Sequence, residues 1–188
     1  MDLNIFEKNR SYRSFTDKSI TKMHLLKMIE SARVSASSMN RQILRFALVD
    51  SKEQCDKIFP LTGWAAFIDW NPSKEEAPHA YIVLCVPNDK PVNKNYAYFD
   101  MGLMSQNILL TAVSMGYGGC ILANFNKQKV HDILNLPSNY DCEILIALGE
   151  PAEVSTVVEA VDGDTKYYRD VEKKHQYVPK LSLNELIL

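Results

Sequence analysis

Asn95-Tyr96-Ala97-Tyr98-Phe99-Asp100-Met101-Gly102-Leu103-Met104-Ser105-Gln106-Asn107-Ile108-Leu109-Leu110-Thr111-Ala112-Val113-Ser114-Met115-Gly116-Tyr117-Gly118-Gly119-Cys120-Ile121-Leu122-Ala123-Asn124-Phe125 reads as a long helix that feeds a strand through a glycine turn. The helix is predicted over 95–115 and is apolar on most sides. Phe99, Leu103, Leu110 and Val113 mark one face; Met104, Ile108, Ala112 and Met115 mark another. A helix apolar on two faces is central or sits at a subunit interface. Gly116, Gly118 and Gly119 end it, and 119–123 is predicted as a strand. The turn follows a helix, whereas a dinucleotide fingerprint opens one after a strand, so this is not that motif.

Outward from this segment, the periodicity predicts a short helix over 2–9 and a helix capped by Thr21 that runs to about Val34. Strands are expected over 43–49, 80–86 and 143–148, and short helices over 52–59 and 127–134. Residues 60–78 carry Pro60, Gly63, Trp64, Trp70, Pro72 and Pro78 and read as loop with broken helix. The last 37 residues are more polar and end in a short helix from Ser182. With little apolar content of its own, this tail is expected to pack on something else. There is no internal repeat and no linker, so 1–188 reads as a single domain of mixed α+β class.

Composition narrows the function. Apolar residues make up 46% and charged residues 23%, as in an ordinary globular protein. The net charge of -2 carries no block of either sign, which argues against nucleic acid or a polybasic membrane surface as partner. The start, Met1-Asp2-Leu3-Asn4, has an early acid and no apolar signal region, and the apolar run over 80–86 is too short to span a bilayer, so a cytoplasmic location is expected. Cys55, Cys85, Cys120 and Cys142 are widely spaced, and none of the four histidines forms a metal-ligand pattern. No metal site is expected, and the cysteines are predicted to be buried, reduced thiols.

Three segments carry groups suited to a bound ligand. Asn9-Arg10-Ser11-Tyr12-Arg13-Ser14-Phe15 places two arginines around a serine, and forked guanidinium donors suit a phosphate or a pyrimidine carbonyl edge. Ser35-Ala36-Ser37-Ser38-Met39-Asn40-Arg41-Gln42 supplies small hydroxyl groups and amides that read a heteroaromatic edge. The glycine turn and the strand ending in Ala123-Asn124-Phe125 let backbone N–H groups face a cofactor. Alone, the first segment is more often solvated surface and the second more often a polar loop that terminates a helix. Glu75-Glu76 lies in a polar loop, where solvation accounts for it.

In this order the segments resemble the nitroreductase family of FMN-dependent oxidoreductases, over most of the chain. The opening is similar to the family's R-R-S-x-R-x-F and the second segment to its P-S-S-x-N-x-Q-P-W. Asp100-Met101-Gly102 onward is similar to its D-x-G-x-x-x-Q-N helix, and Leu145-Ile146-Ala147-Leu148-Gly149-Glu150-Pro151 to its strand ending in L-G-x-P. The resemblance implies a central mixed sheet flanked by helices and an intertwined homodimer, with 152–188 as a C-terminal arm packing on the partner subunit. FMN would lie at the subunit interface. Arg10, Ser11 and Arg13 would meet it, Arg10 near the phosphate and Arg13 near the pyrimidine edge. Ser37, Ser38 and Asn40 would reach it from the partner. Ala123 and Asn124 would line the ring, and Lys180 would be a second phosphate cation. Asn9 stands where the family has its first arginine, Ala36 where it has proline, and Ile43-Leu44 where it has Pro-Trp. The loss of that arginine either weakens phosphate binding or passes its task to Arg10, Arg169 or Lys180.

The implied activity is a ping-pong transfer of hydride from NADH or NADPH to a nitroaromatic, quinone or similar small acceptor. The flavin carries the chemistry, so no catalytic side-chain acid or base is expected. Trp64, Phe67 and Trp70 are candidate pocket walls, with plain packing as the competing role. Two other outcomes stay open at this level: a relative running another flavin reaction, such as dehalogenation or flavin fragmentation, and a non-catalytic flavin-binding dimer.

Overall fold

The computed structural model describes residues 4–188. Its helices are α1 (Asn4–Lys8), α2 (Lys22–Arg33), α3 (Lys52–Ile58), α4 (Lys94–Ser114), α5 (Lys127–Ile133) and α6 (Leu183–Leu186). Its strands are β1 (Arg45–Val49), β2 (Ala80–Pro87), β3 (Gly118–Leu122), β4 (Tyr140–Gly149), β5 (Val154–Glu159), β6 (Tyr168–Asp170) and β7 (His175–Lys180). The predicted short first helix is α1, and positions 2 and 3 of that prediction lie outside the described residues.

β1, β2, β4 and β3 pair in that order, each pair antiparallel. Alternation along the strands separates two cores. Ile82, Leu84, Ile146 and Leu148 face Leu25, Met28, Met101 and Ile108 of α2 and α4. Tyr81, Val83, Leu145 and Ala147 face Cys55 and Ile58 of α3 and Val130 of α5. β2 is buried on both sides along its whole length, which is why its sequence is an unbroken apolar run. Thr21 caps α2 through a 3.4 Å hydrogen bond from His24 N–H, and Asn93 caps α4 by accepting from Asn95 and Tyr96 N–H.

The helix-flanked α+β architecture matches the expectation. The mixed pairing, however, is not in the central ladders. Parallel pairing occurs at the single Ser11–Gly119 bridge and between β5 and β7. The tail holds more order than its polar sequence announced, because β5, β7 and β6 form a second sheet of three strands. β5 and β6 hold only exposed and half-buried residues, and β7 fully buries only Gln176 and Pro179, so no apolar run marks them. On α4 the Met104, Ile108 and Ala112 face is core, whereas Phe99 and Leu103 on the other face are exposed in the single chain. No helix among the described residues is long and apolar enough to cross a membrane.

Candidate functional site

The arginine–serine segment lies along the edge strand β3. Ser11 bridges Gly119, and Tyr12 N–H donates to Gly119 C=O at 3.0 Å. Glycine is required there: a Cβ on Gly119 would strike the Ala147 carbonyl oxygen, and one on Gly118 would strike the Tyr12 ring. Ser11, Ala123 and Asn124 are all exposed along this edge. Asn124 C=O accepts from Gly63 N–H at 2.9 Å, which ties the end of β3 to the loop carrying Trp64.

Arg13 is held flat against this edge. Its Nε donates to Trp64 C=O at 2.8 Å and its Nη1 to Ser11 C=O at 3.1 Å, while the guanidinium lies 5.2 Å from the Tyr167 ring centre. The backbone N–H groups of Arg13 and Ser14 both donate to the Glu153 carboxylate.

Arg10 projects to the other side, into a groove of about 620 Å³ that it shares with Phe6, Glu7, Ser155, Thr156, Val157 and Lys180. Its Nη2 donates to Phe6 C=O at 2.7 Å. Arg10 Nε and Ser155 Oγ are buried without a hydrogen-bond partner among the described residues. Buried polar atoms left unpaired are costly. Two such donors beside the Lys180 ammonium form a set that fits a phosphate group. Ser155 was not singled out from sequence, since a lone serine in a polar tail carries no signal.

The second segment sits elsewhere. Ser38 donates from both its N–H and its Oγ to Asp100 Oδ1, at 2.8 and 2.9 Å, and Asp100 is buried in α4. Ser37 Oγ accepts from Gln42 N–H at 3.4 Å, and Asn40 Oδ1 accepts from Gln42 Nε2 at 3.1 Å. Met39, Asn40 and Gln42 adopt positive φ of 53°, 53° and 48°. Three non-glycine residues in this region store backbone strain, which accumulates where a ligand clamp is built. Among the described residues no hydrogen bond or ion pair joins Ser37, Ser38 or Asn40 to the group around Arg10, Ser11, Arg13 and Lys180.

Several sequence expectations are corrected. Trp64 is core, packing on Phe59 with ring centres 5.8 Å apart, and Trp70 lies 3.9 Å from the Arg169 guanidinium. Only Phe67 of the three aromatic candidates is exposed, set edge-on to Tyr167. Arg169 cannot serve the phosphate groove, because it is buried in an ion pair with Glu153. Glu76 is not simply solvated: it caps the turn at Ser73 and binds Lys174 at 2.7 Å. The four cysteines are buried and free, as expected.

These features define an α+β protein with a phosphate-fitting groove beside the edge of an antiparallel sheet and a strained serine–asparagine segment held to α4 through Asp100. The family model described as the nitroreductase family matches residues 7–150, and the chain belongs to that family. An NADPH-flavin oxidoreductase of Vibrio harveyi is 26% identical over 157 residues, covering 76% of this chain. The chain spans 62% of that relative's length. A putative NADH dehydrogenase/NAD(P)H nitroreductase of Methanothermobacter thermautotrophicus is 26% identical over 168 residues, covering 86% of this chain and 83% of its own. Among solved structures, a nitroreductase family protein from Clostridium novyi NT matches with a TM-score of 0.67 at 23% identity, covering 98% of this chain and 99% of that one. The NADPH:FMN oxidoreductase from Vibrio harveyi complexed with NAD+ matches with a TM-score of 0.69 at 21% identity, over 91% of this chain and 80% of that one. At these identities the structural likeness speaks for the fold.

Proposed function

We propose that this chain is an FMN-dependent oxidoreductase that passes hydride from NADH or NADPH to a nitroaromatic, quinone or similar small acceptor. The oxidoreductase class follows from membership of the nitroreductase family and from relatives named as NADPH-flavin oxidoreductase and oxygen-insensitive NADPH nitroreductase. The observation that carries the cofactor assignment is the groove in which Arg10 Nε and Ser155 Oγ stand buried and unpaired beside Lys180.

Bound FMN supplies the two-electron chemistry. Arg10, Ser155 and Lys180 hold its phosphate through charge-assisted hydrogen bonds. Ser11, Ala123 and Asn124 present the exposed edge against which the ring lies. Arg13 is a fixed cation, its plane set by Trp64 and Ser11, placed to stabilise negative charge developing beside it without reorganisation. Ser37, Ser38 and Asn40 of a second copy complete the site. The uncovered Phe99 and Leu103 on α4, and the exposed Leu183, Leu186 and Ile187 after β7, supply the apolar surface of such a homodimer. Donor and acceptor use the same opening in turn, which makes the cycle ping-pong.

The test is the visible absorption of the pure protein, with the released chromophore identified, followed by NAD(P)H oxidation with nitro and quinone acceptors. About one FMN per chain and turnover of either acceptor are expected. Colourless protein that takes up no added FMN overturns the cofactor assignment. A flavin-loaded protein that turns over neither acceptor overturns the reaction and leaves another flavin reaction or a binding role. Sedimentation giving a monomer overturns the shared site.

A further inference from the structure

Cys85 on β2 and Cys142 on β4 are direct register partners across an antiparallel ladder. The register shifts between Leu84 and Cys85, so Leu84 opposes Ile144 while Cys85 opposes Cys142. Both side chains therefore point to the same face, the core between the sheet and α3 and α5. Directly opposed residues in antiparallel strands have Cα atoms about 4.5–5.5 Å apart. A disulfide spans Cα separations of about 4.4–6.8 Å. Closing the bond therefore asks for rotation of two side chains and no separation of strands. The other two cysteines lack this: Cys120 opposes Ala147, and Cys55 lies on α3.

The pair also has an approach. Cys142 lines a surface cleft with Lys127, Gln128, His131, Asp141 and Glu143, although only 2% of it is exposed; Cys85, 4% exposed, does not line that cleft.

We propose that Cys85 and Cys142 form a reversible dithiol–disulfide couple, a modification site in which a small hydroperoxide entering the Lys127–His131 cleft oxidises Cys142 and Cys85 then closes the bond. The Cys142 thiolate attacks the peroxide, ROOH, the O–O bond breaks, and the proton lost from Cys142 goes to the leaving oxygen, giving Cys142 sulfenic acid and ROH. The Cys85 sulfur attacks the sulfenic sulfur, and the hydroxyl leaves as water with the Cys85 proton. The peroxide takes two electrons in all and the two thiols supply them. A thiol reductant, becoming oxidised to its own disulfide, returns the pair to two S–H groups. The asymmetry of the thiols agrees with these roles. The neighbouring Cys85 thiol holds Cys142 below the ordinary thiol value, against burial, while the Cys142 thiol and burial push Cys85 up. The thiolate is the form that reacts.

The test uses the purified full chain treated with increasing hydrogen peroxide, then denatured, alkylated and read by intact mass and peptide mapping. The expected result is two alkylatable thiols, Cys55 and Cys120, and a peptide joining residue 85 to residue 142, all reversed by dithiothreitol. In Cys85→Ser, Cys142 should accumulate sulfenic acid that dimedone traps. Four alkylatable thiols after treatment, a bridge between any other pair, or Cys142 driven to sulfinic acid with no bridge would each overturn the proposal. Should Cys85→Ser fail to fold, the wild-type peptide map decides alone.

Discussion

Arg169 and Glu153 form an ion pair whose side chains are only 3% and 1% exposed. Glu153 also accepts from the N–H groups of Arg13 and Ser14, and Arg169 lies under Trp70 and donates to Ser14 Oγ at 3.4 Å. One carboxylate at the root of the C-terminal sheet thus holds the backbone two and three residues after Ser11. Removing one partner leaves the other charge buried and alone, which costs about 3–5 kcal/mol. Glu153→Ala and Arg169→Ala should each lose about that much in urea unfolding, and the double variant should lose less than the sum. A loss under about 1 kcal/mol in both single variants would show that the pair does not clamp the segment.

The phosphate groove predicts a selective loss of affinity. Lys180→Ala and Ser155→Ala each remove one donor from the proposed FMN phosphate. A hydrogen bond to a charged group is worth about 1.5–3 kcal/mol, or roughly 10- to 100-fold in Kd. FMN affinity, followed by flavin fluorescence, should fall by that order for Lys180→Ala and less for Ser155→Ala. Riboflavin, which lacks the phosphate, should bind wild type and variants alike. An equal loss for both flavins would place the groove away from the phosphate.

Gly119 predicts a steric result. A methyl group there meets the Ala147 carbonyl oxygen and Leu109, and backbone cannot swing aside as a flexible side chain can. Gly119→Ala should cost about 1–3 kcal/mol through overpacking. It should also break the Ser11 bridge, so protection of the Tyr12 amide in hydrogen exchange should fall more than that of β2. Gly102, with open space around it, is the control, and its alanine variant should keep Tyr12 protected.

The end of β4 predicts a pH dependence. Hydrogen bonds from Lys18, at 2.6 Å, and Thr16, at 2.9 Å, hold the Glu150 carboxyl below its ordinary value of 4.5. A depressed carboxylate contributes stability above its unfolded pKa and loses it as pH falls through the folded one. Wild type should therefore exceed Glu150→Gln in denaturant midpoint near neutral pH, and the gap should close below the unfolded value of 4.5. A gap unchanged at about pH 3 would mean that the ionised form contributes nothing.

How far the sequence carried depends on the range of each interaction. Helices and central strands were legible because burial repeats at 3.6 or 2 residues along the chain itself. The α4 run, the glycine turn and the all-apolar β2 are local signals of that kind. Glycine positions 118 and 119 stood out in the sequence, but the structure places both in β3 rather than in the turn, and the Tyr12 ring and Ala147 carbonyl that demand them were not visible.

By itself, then, the sequence determined the element order as far as β4, the α+β class, the family likeness and the candidates Arg10, Ser11, Arg13, Ser38 and Lys180. Tertiary structure alone decided the β1-β2-β4-β3 order, the strands hidden in the polar tail, the diversion of Arg169 from the phosphate groove to Glu153, the recruitment of Ser155, and the facing of Cys85 on Cys142. Each of these joins residues far apart in sequence. Which of them meet is set by strand register and by how the chain closes its cores, and neither leaves a periodic trace in the residues involved.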